Sequence, residues 1–146
     1  FVASECVPLV KTGGLADVVA ASLEPYDDQA EISITGPEIR IEVGELTALS
    51  LLLHEWATNA AKYGVLGARE GQLIVSWEED DTGRVILSWN EILSEDVVQK
   101  QEKAGFGSTL VQLSAMQLNG RLDVSTGAKN RRMTLEYVPS AGGKST

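Results

Sequence analysis

The sequence contains little cysteine, few basic residues and no long apolar run. Its one cysteine, Cys6, cannot form an internal disulfide, which indicates a reducing compartment and predicts a cytoplasmic location. The apolar runs are a few residues long, as at 51–53, whereas a membrane-spanning helix needs about 20. We therefore expect this chain to make no membrane contact.

Basic residues are outnumbered by acidic ones, 12 against 21, and the net charge is -9. A chain this acidic is repelled by phosphate backbones, which excludes a general nucleic-acid binder. A nucleotide site remains open, because it needs only local positive potential and usually a metal ion. The length of 146 residues and the 43% of hydrophobic residues predict one globular domain.

Hydrophobic spacing predicts a regular order of helices and strands. In chain order the elements are a helix over 15–23, strands over 32–35 and 39–43 joined by a turn, a helix over 46–63, a hairpin of strands 72–77 and 85–89, a polar loop over 92–104, a helix over 107–118 ended at Asn119-Gly120, and strands over 121–125 and 132–138. This order favours an α+β fold, a two-layer sandwich with a mixed, mostly antiparallel sheet and helices on one face.

The long predicted helix carries an apolar stripe and a separate polar face. The stripe consists of Leu46, Leu49, Leu53, Trp56 and Ala60, and Gly64 follows as a C-terminal cap. Glu55, Asn59 and Lys62 are spaced i, i+4 and i+7, so they share the polar face. An amide oxygen can bind Mg²⁺, an ammonium can neutralise phosphate, and a carboxylate can accept a proton. The alternative is a solvated helix face with an incidental salt bridge.

Two glycines precede the helix predicted near the end of the chain. Gly105 and Gly107 flank Phe106, and Ser108 and Thr109 fall in the first helical turn. Free N–H groups at a helix N-terminus bind phosphate, and glycines let phosphate approach the backbone. The alternative is a glycine hinge without a ligand.

A carboxylate follows the inward-facing residues of one predicted strand. Glu91 has the parity of Leu87 and Trp89, so its carboxylate is expected at the inner face and needs a donor there. The amino group of an adenine would serve as that donor. The alternative is a strand end at which the Glu91 side chain points into the solvent.

Together these segments resemble the catalytic domain of the HWE family of sensor histidine kinases, over about 18–139. H-E-W-A-T-N-A-A-K-Y-G from 54 to 64 resembles the N-box, W-N-E at 89–91 resembles the tryptophan-x-glutamate motif, and G-F-G-S-T-L from 105 resembles the second glycine box. The resemblance implies a Bergerat-type sandwich of the GHKL ATPases, which binds ATP with Mg²⁺ beneath a lid loop at 92–106.

The resemblance also implies a role for each motif residue. Glu55 would be the base that polarises the attacking imidazole, Asn59 would bind Mg²⁺, and Lys62 would contact phosphate. Glu91 would read adenine. The ATP site would further include Tyr63, Gly105, Phe106, Gly107, Ser108 and Thr109, while His54, Trp89 and Glu91 mark the family. We predict a hydrogen-bonding role beside the site for His54.

The resemblance places the phosphoacceptor histidine outside this chain. His54 is the only histidine here and belongs to the N-box. The implied partners are therefore ATP, a histidine-bearing dimerisation domain of the same kinase and a downstream response regulator, and the chain alone would not autophosphorylate. Ile92 to Glu95 stand where the family has a glycine-glycine-proline, which predicts a narrower adenine pocket. The alternative function is a degenerate docking or regulatory module of the same fold.

The first residues resemble a different family. F-V-A-S-E-C-V-P-L-V-K-T-G-G-L-A-D-V-V at 1–19 is similar to the amino terminus of bacterial glycogen synthases, where the counterpart of Lys11 would contact a sugar nucleotide. We predict a leader at 1–17, a kinase-like domain at 18–139 and a disordered tail at 140–146. A sugar-nucleotide transferase is a third alternative, supported by the leader alone.

Overall fold

A computed structural model of the protein describes residues 14–26, 30–68, 71–93 and 109–139. The helices in these ranges are α1 (Leu15–Leu23), α2 (Val43–Tyr63), α3 (Val65–Ala68) and α4 (Thr109–Gln117), with one 3-10 turn at Glu24–Tyr26. The strands are β1 (Glu31–Thr35), β2 (Gly71–Glu79), β3 (Val85–Leu93), β4 (Arg121–Thr126) and β5 (Asn130–Tyr137). The predicted leader up to residue 13, most of the predicted lid and the tail from 140 lie outside the described residues.

The described strands form one mixed sheet in the order β1-β2-β3-β5-β4. β1 pairs parallel with β2, and the other neighbours pair antiparallel. Parallel neighbours need a long crossover connection, and α2 supplies it. The four described helices lie over the inner face of this sheet, and the predicted α+β sandwich is confirmed.

The core lies between this sheet and α2. Side chains along β3 alternate between buried and half-buried, because successive strand residues point to opposite faces. α2 is buried more widely than the predicted stripe: α1 and α4 both pack against it, and Leu52 and Ala57 are buried as well. The prediction that Leu46 belongs to the buried stripe is wrong, because Leu46 is 36% exposed.

The strand predicted over 39–43 is wrong. Pro37 has no N–H to donate to a neighbouring strand, and the Ile39 carbonyl instead accepts a hydrogen bond from Leu15 N at 2.8 Å. Val43 already begins α2, where Glu42 N donates to Glu45 Oε1 at 3.2 Å across the first turn. β1 therefore pairs with β2, which is distant in the sequence, rather than with residues 39–43.

The end of α4 matches the predicted stop. Asn119 has a φ of 56°, in the left-handed region that asparagine tolerates better than most residues. Asn119 N donates to the Met116 carbonyl at 3.0 Å, and Gly120 N donates to the Ala115 carbonyl at 2.8 Å. These two bonds form a Schellman motif, so the predicted cap at Asn119-Gly120 is confirmed.

The predicted boundary between leader and domain falls inside α1. The helix begins at Leu15, which is fully buried, and Gly14 forms a bridge with Arg40. Residues before 18 therefore contribute to the core, and the boundary stays a prediction.

In the described part of the chain, no helix is both long and apolar enough to cross a membrane. The cytoplasmic location likewise stays a prediction.

The turn between β2 and β3 is held by the side chain of Asp80. Asp80 Oδ1 accepts hydrogen bonds from the Thr82 hydroxyl at 2.7 Å, from Thr82 N at 2.9 Å and from Arg84 N at 3.0 Å. The bond from the Thr82 hydroxyl, above all, holds the pKa of Asp80 below its ordinary value of 3.8. A depressed pKa in the folded state stabilises the fold above the unfolded-state pKa, and this contribution is lost as pH falls through the folded-state pKa.

We therefore expect Asp80→Asn to lower the melting temperature slightly near neutral pH, and to have no effect once the carboxyl is protonated in both states. Thermal melts near neutral pH and near pH 2 measure the difference. The matched control is Asp81→Asn, because Asp81 is an exposed neighbour that makes no hydrogen bond to the rest of the described chain. A deficit of the same size at both pH values would contradict this prediction.

Candidate functional site

The polar face of α2 lies in the C-terminal half of that helix. Glu55 is half-buried, Asn59 is 5% exposed and Lys62 is exposed. Within the described ranges no hydrogen bond reaches the Asn59 side chain. A solvated face does not account for a buried amide, so burial sets Asn59 apart from an ordinary surface residue.

His54 stands at the exposed edge of the same helix. Its backbone carbonyl accepts a hydrogen bond from the Thr58 hydroxyl at 2.8 Å, which is a local bond within the helix. The predicted hydrogen-bonding role of the imidazole stays a prediction.

The glycine segment is described only at its end. Gly105, Phe106, Gly107 and Ser108 lie outside the described residues, as does the side chain of Tyr63. Thr109 is exposed and begins α4, two residues after the predicted start of that helix. α4 packs against α2, the helix that carries the polar face.

Glu91 lies at the centre of a buried hydrogen-bonded cluster. Its residue exposure is 0%, so the alternative of a carboxylate turned into water is wrong. Oε1 accepts from Val65 N at 3.2 Å and from Arg131 Nη1 at 3.4 Å, and Oε2 accepts from Trp89 Nε1 at 2.9 Å. Three protein donors therefore satisfy the buried carboxylate that the sequence predicted, and we call these four residues the Glu91 cluster.

The tryptophan of the W-N-E segment connects this cluster to α2. Trp89 and Glu91 are two residues apart on one strand, so both side chains stand on the inner face. The Trp89 ring also packs against Trp56 of α2, with 5.6 Å between the ring centroids and a tilt of 57°, a favourable arrangement for aromatic pairs. One side chain thus contacts both the helix of the polar face and the buried carboxylate.

Arg131 is a site residue that the sequence reasoning missed. It faces Glu91 directly across the β3–β5 pair, and its exposure is 5%. The predicted strand began at 132 and left it out. Arg131 has the same parity as the buried Met133, Leu135 and Tyr137, and that parity is the signal that would have found it.

Gly64 is required for space rather than for a left-handed cap. Gly64 is the C-cap of α2, as predicted, but its φ of -131° and ψ of -148° are not left-handed. A β-carbon at this position would collide with Glu91 Oε1 and with Arg131 Nη1. The end of α2 therefore approaches the Glu91 cluster as closely as only a glycine permits.

β3 continues beyond Glu91. Ile92 pairs with Asn130, and Leu93 N donates to the Lys129 carbonyl at 2.8 Å. Ile92 and Leu93, which stand where the resembled family has glycines, are therefore part of a regular strand.

Among the described residues, Asn59 is the candidate to hold a metal ion together with a ligand that brings its own oxygens. Nowhere in the described ranges do three His, Cys, Asp or Glu side chains form a metal-binding group. Mg²⁺ is commonly bound by one or two protein oxygens together with substrate phosphates and water. The buried Asn59 amide fits that donor set, with Glu55 one turn away on the same face.

Comparison with known proteins relates the chain to histidine kinases in sequence and in fold. The chain is 35% identical over 111 residues to blue-light-activated histidine kinase 1 of Erythrobacter litoralis, and the match covers 73% of this chain and 31% of that protein. The chain thus spans about a third of the length of this curated relative. A family model described as the starch synthase catalytic domain matches residues 1–25.

Solved structures share the fold at low sequence identity. The histidine kinase domain of the Erythrobacter litoralis EL346 blue-light-activated histidine kinase superposes with a TM-score of 0.70 at 13% identity, covering 86% of this chain and 60% of that one. Full-length ShkA in complex with AMPPNP superposes with a TM-score of 0.58 at 19% identity, covering 92% of this chain and 32% of that one. The chain therefore has the fold of a histidine kinase catalytic domain, and a curated relative in sequence is named a histidine kinase.

Proposed function

We propose that this domain binds ATP with Mg²⁺ and transfers the γ-phosphoryl group to a histidine on a separate dimerisation segment, as an HWE-family kinase would. The observation that carries the proposal is the polar face of α2, where the buried amide of Asn59 lies between Glu55 and Lys62 in helical spacing. The relative named as a histidine kinase and the fold shared with an AMPPNP-bound kinase support it.

Asn59 is the residue that would hold the metal, through its amide oxygen. The metal held by Asn59 would supply positive charge that offsets the charge developing during phosphoryl transfer. Because Asn59 is buried while Lys62 is exposed, the triphosphate would reach the amide from the side where Lys62 stands.

Lys62 would act on the phosphate donor, and Glu55 would act on the imidazole that accepts the phosphoryl group. The exposed ammonium of Lys62 would neutralise phosphate oxygens, which this acidic chain otherwise repels. Glu55 would accept the N–H proton of the incoming imidazole. As the new N–P bond forms, the bond between the γ-phosphorus and the bridging oxygen breaks, and ADP leaves with that electron pair.

The remaining predicted roles stay proposals. The segment from Gly105 to Thr109 would contact phosphate at the start of α4, and Tyr63 would adjoin the nucleotide. Glu91 would read adenine through the one acceptor position that its three protein donors leave open, since a carboxylate offers about four. The partners would be the histidine-bearing dimerisation domain and a response regulator, because His54, the one histidine of this chain, belongs to α2.

Titration with a fluorescent ATP analogue, with and without Mg²⁺, tests the proposal. We expect micromolar-to-millimolar binding that strengthens with Mg²⁺, and we expect Asn59→Ala to weaken Mg²⁺-dependent binding by about tenfold or more, as loss of a charge-assisted contact does. Gln117→Ala is the control, because Gln117 is an exposed amide at the far end of α4. An affinity equal in wild type and Asn59→Ala would contradict the proposed role of Asn59.

A docking or regulatory module of the same fold is the second candidate. The continuation of β3 through Ile92 and Leu93 favours it, because regular strand occupies the position of the family's glycines. This module would show no binding at millimolar nucleotide, so the same titration decides between the two functions.

A further inference from the structure

We propose that Arg131 is a positioning residue, which acts through Glu91 to fix the C-terminal end of α2 and with it Lys62. Its consequence for nucleotide binding rests on the proposed function, while the structural link to the end of α2 does not. Nothing in the motifs of the sequence assigns Arg131 a role, because it lies outside all of them.

The Glu91 cluster connects three segments that are distant in the sequence. Arg131 comes from β5 and Glu91 from β3. Val65 is the first residue of α3, which follows α2 after Gly64. Gly64 N still donates to the Ala60 carbonyl at 2.9 Å, as in a helix, whereas Val65 N turns to Glu91. The carboxylate therefore marks the point where the chain leaves α2.

Lys62 is only three residues from this point. Three residues are less than one helical turn, so Lys62 lies in the last turn of α2 and moves with it. Lys62 is exposed, and within the described ranges no hydrogen bond or ion pair restrains its side chain. Its position is thus set by the helix backbone, which the Glu91 cluster anchors.

Buried and exposed ion pairs in this sheet have the same length but different surroundings. Arg131 and Glu91 are 3.4 Å apart with side-chain exposures of 6% and 0%, whereas Arg84 and Glu136 are 3.4 Å apart with exposures of 45% and 29%. A buried pair contributes little net stability compared with apolar residues in place of both partners, so we ascribe to this pair a role in geometric specificity. The geometry in question is the position of Val65 N, which follows the end of α2 and donates to Glu91.

Hydrogen exchange at the Val65 amide tests the structural link directly. We expect Arg131→Met to accelerate exchange at Val65 by roughly tenfold to a hundredfold relative to wild type, with the middle of α2 still protected. Arg131→Lys retains the charge, and we expect it to restore part of the protection even if the methionine variant is poorly folded. Arg84→Met is the matched control and should leave Val65 unchanged.

Nucleotide affinity in a double-mutant cycle tests the positioning of Lys62. If Arg131 acts through Lys62, Arg131→Met and Lys62→Ala each weaken binding, and the double variant is no weaker than Lys62→Ala alone. Inorganic tripolyphosphate with Mg²⁺ should lose affinity to the same extent as ATP. A loss confined to ATP would instead assign the Glu91 cluster to adenine recognition and overturn the proposal.

Failure of this inference and failure of the proposed function give different results. A wild-type domain without nucleotide binding overturns the proposed function and the role of Lys62, while exchange at Val65 still decides the structural link. A wild type that binds nucleotide, with Val65 exchange unchanged in both Arg131 variants, overturns the link alone. Fully additive losses in the cycle overturn the positioning of Lys62.

Discussion

Arg131→Met is expected to lower the free energy of unfolding by about 3 to 5 kcal/mol, because it leaves Glu91 as a buried charge without its counterion. Glu91 is 0% exposed, so water cannot take the place of the guanidinium without opening the core. The change removes a large part of the roughly 5 to 15 kcal/mol that stabilises an ordinary domain. Urea denaturation at low temperature measures the difference.

The control for this prediction is the exposed pair in the same sheet. Arg84→Met should cost at most about 1 kcal/mol, because solvent already screens Arg84 and Glu136. Equal losses in the two variants would contradict the expectation, since they would mean that burial adds nothing to the effect of removing the arginine.

Gly64→Ala is expected to destabilise the protein by about 1 to 3 kcal/mol, as overpacking of a filled site does. The backbone there is not left-handed, so the loss would come from collision of the new methyl group with Glu91 and Arg131. Thermal or urea unfolding measures it, and hydrogen exchange at the end of α2 locates it.

A second glycine of the same helix provides the matched control. Gly44 lies in the first turn of α2, and a β-carbon there would meet nothing within 4 Å. Gly44→Ala should therefore stabilise the protein by about 0.5 to 1 kcal/mol, because alanine is the better helix former. The two substitutions are chemically identical, so opposite signs would isolate the effect of the Glu91 cluster. A stabilising Gly64→Ala would contradict the close approach described for Gly64.

The W-N-E segment is a place where fold and site depend on the same residues. Trp89 packs on Trp56 of α2, and its indole N–H donates to Glu91. A family motif that we interpreted through adenine recognition therefore has a structural explanation in this chain. The contribution of Glu91 to nucleotide binding, whether direct or through α2, is what the tripolyphosphate comparison separates.

Local patterns determined the elements whose evidence is contained in a short stretch of chain. The helical spacing of Glu55, Asn59 and Lys62 and the strand alternation around Trp89 both appear in the structure. The stop at Asn119-Gly120 was equally predictable. Each depends on a period or a backbone preference that neighbouring residues set among themselves.

Contacts between distant segments were decided by the tertiary structure. Alternation at 39–43 predicted a strand, but within the described ranges Arg40 makes only an isolated bridge with Gly14, and β1 pairs with β2 across the α2 crossover. Leu46 fits the apolar period of α2, yet it is 36% exposed. The sequence required a donor for the buried Glu91, but only the register of β3 against β5 brought Arg131 to it. Periodicity specifies which face a residue occupies, whereas the partner on that face depends on how strands and helices meet in space.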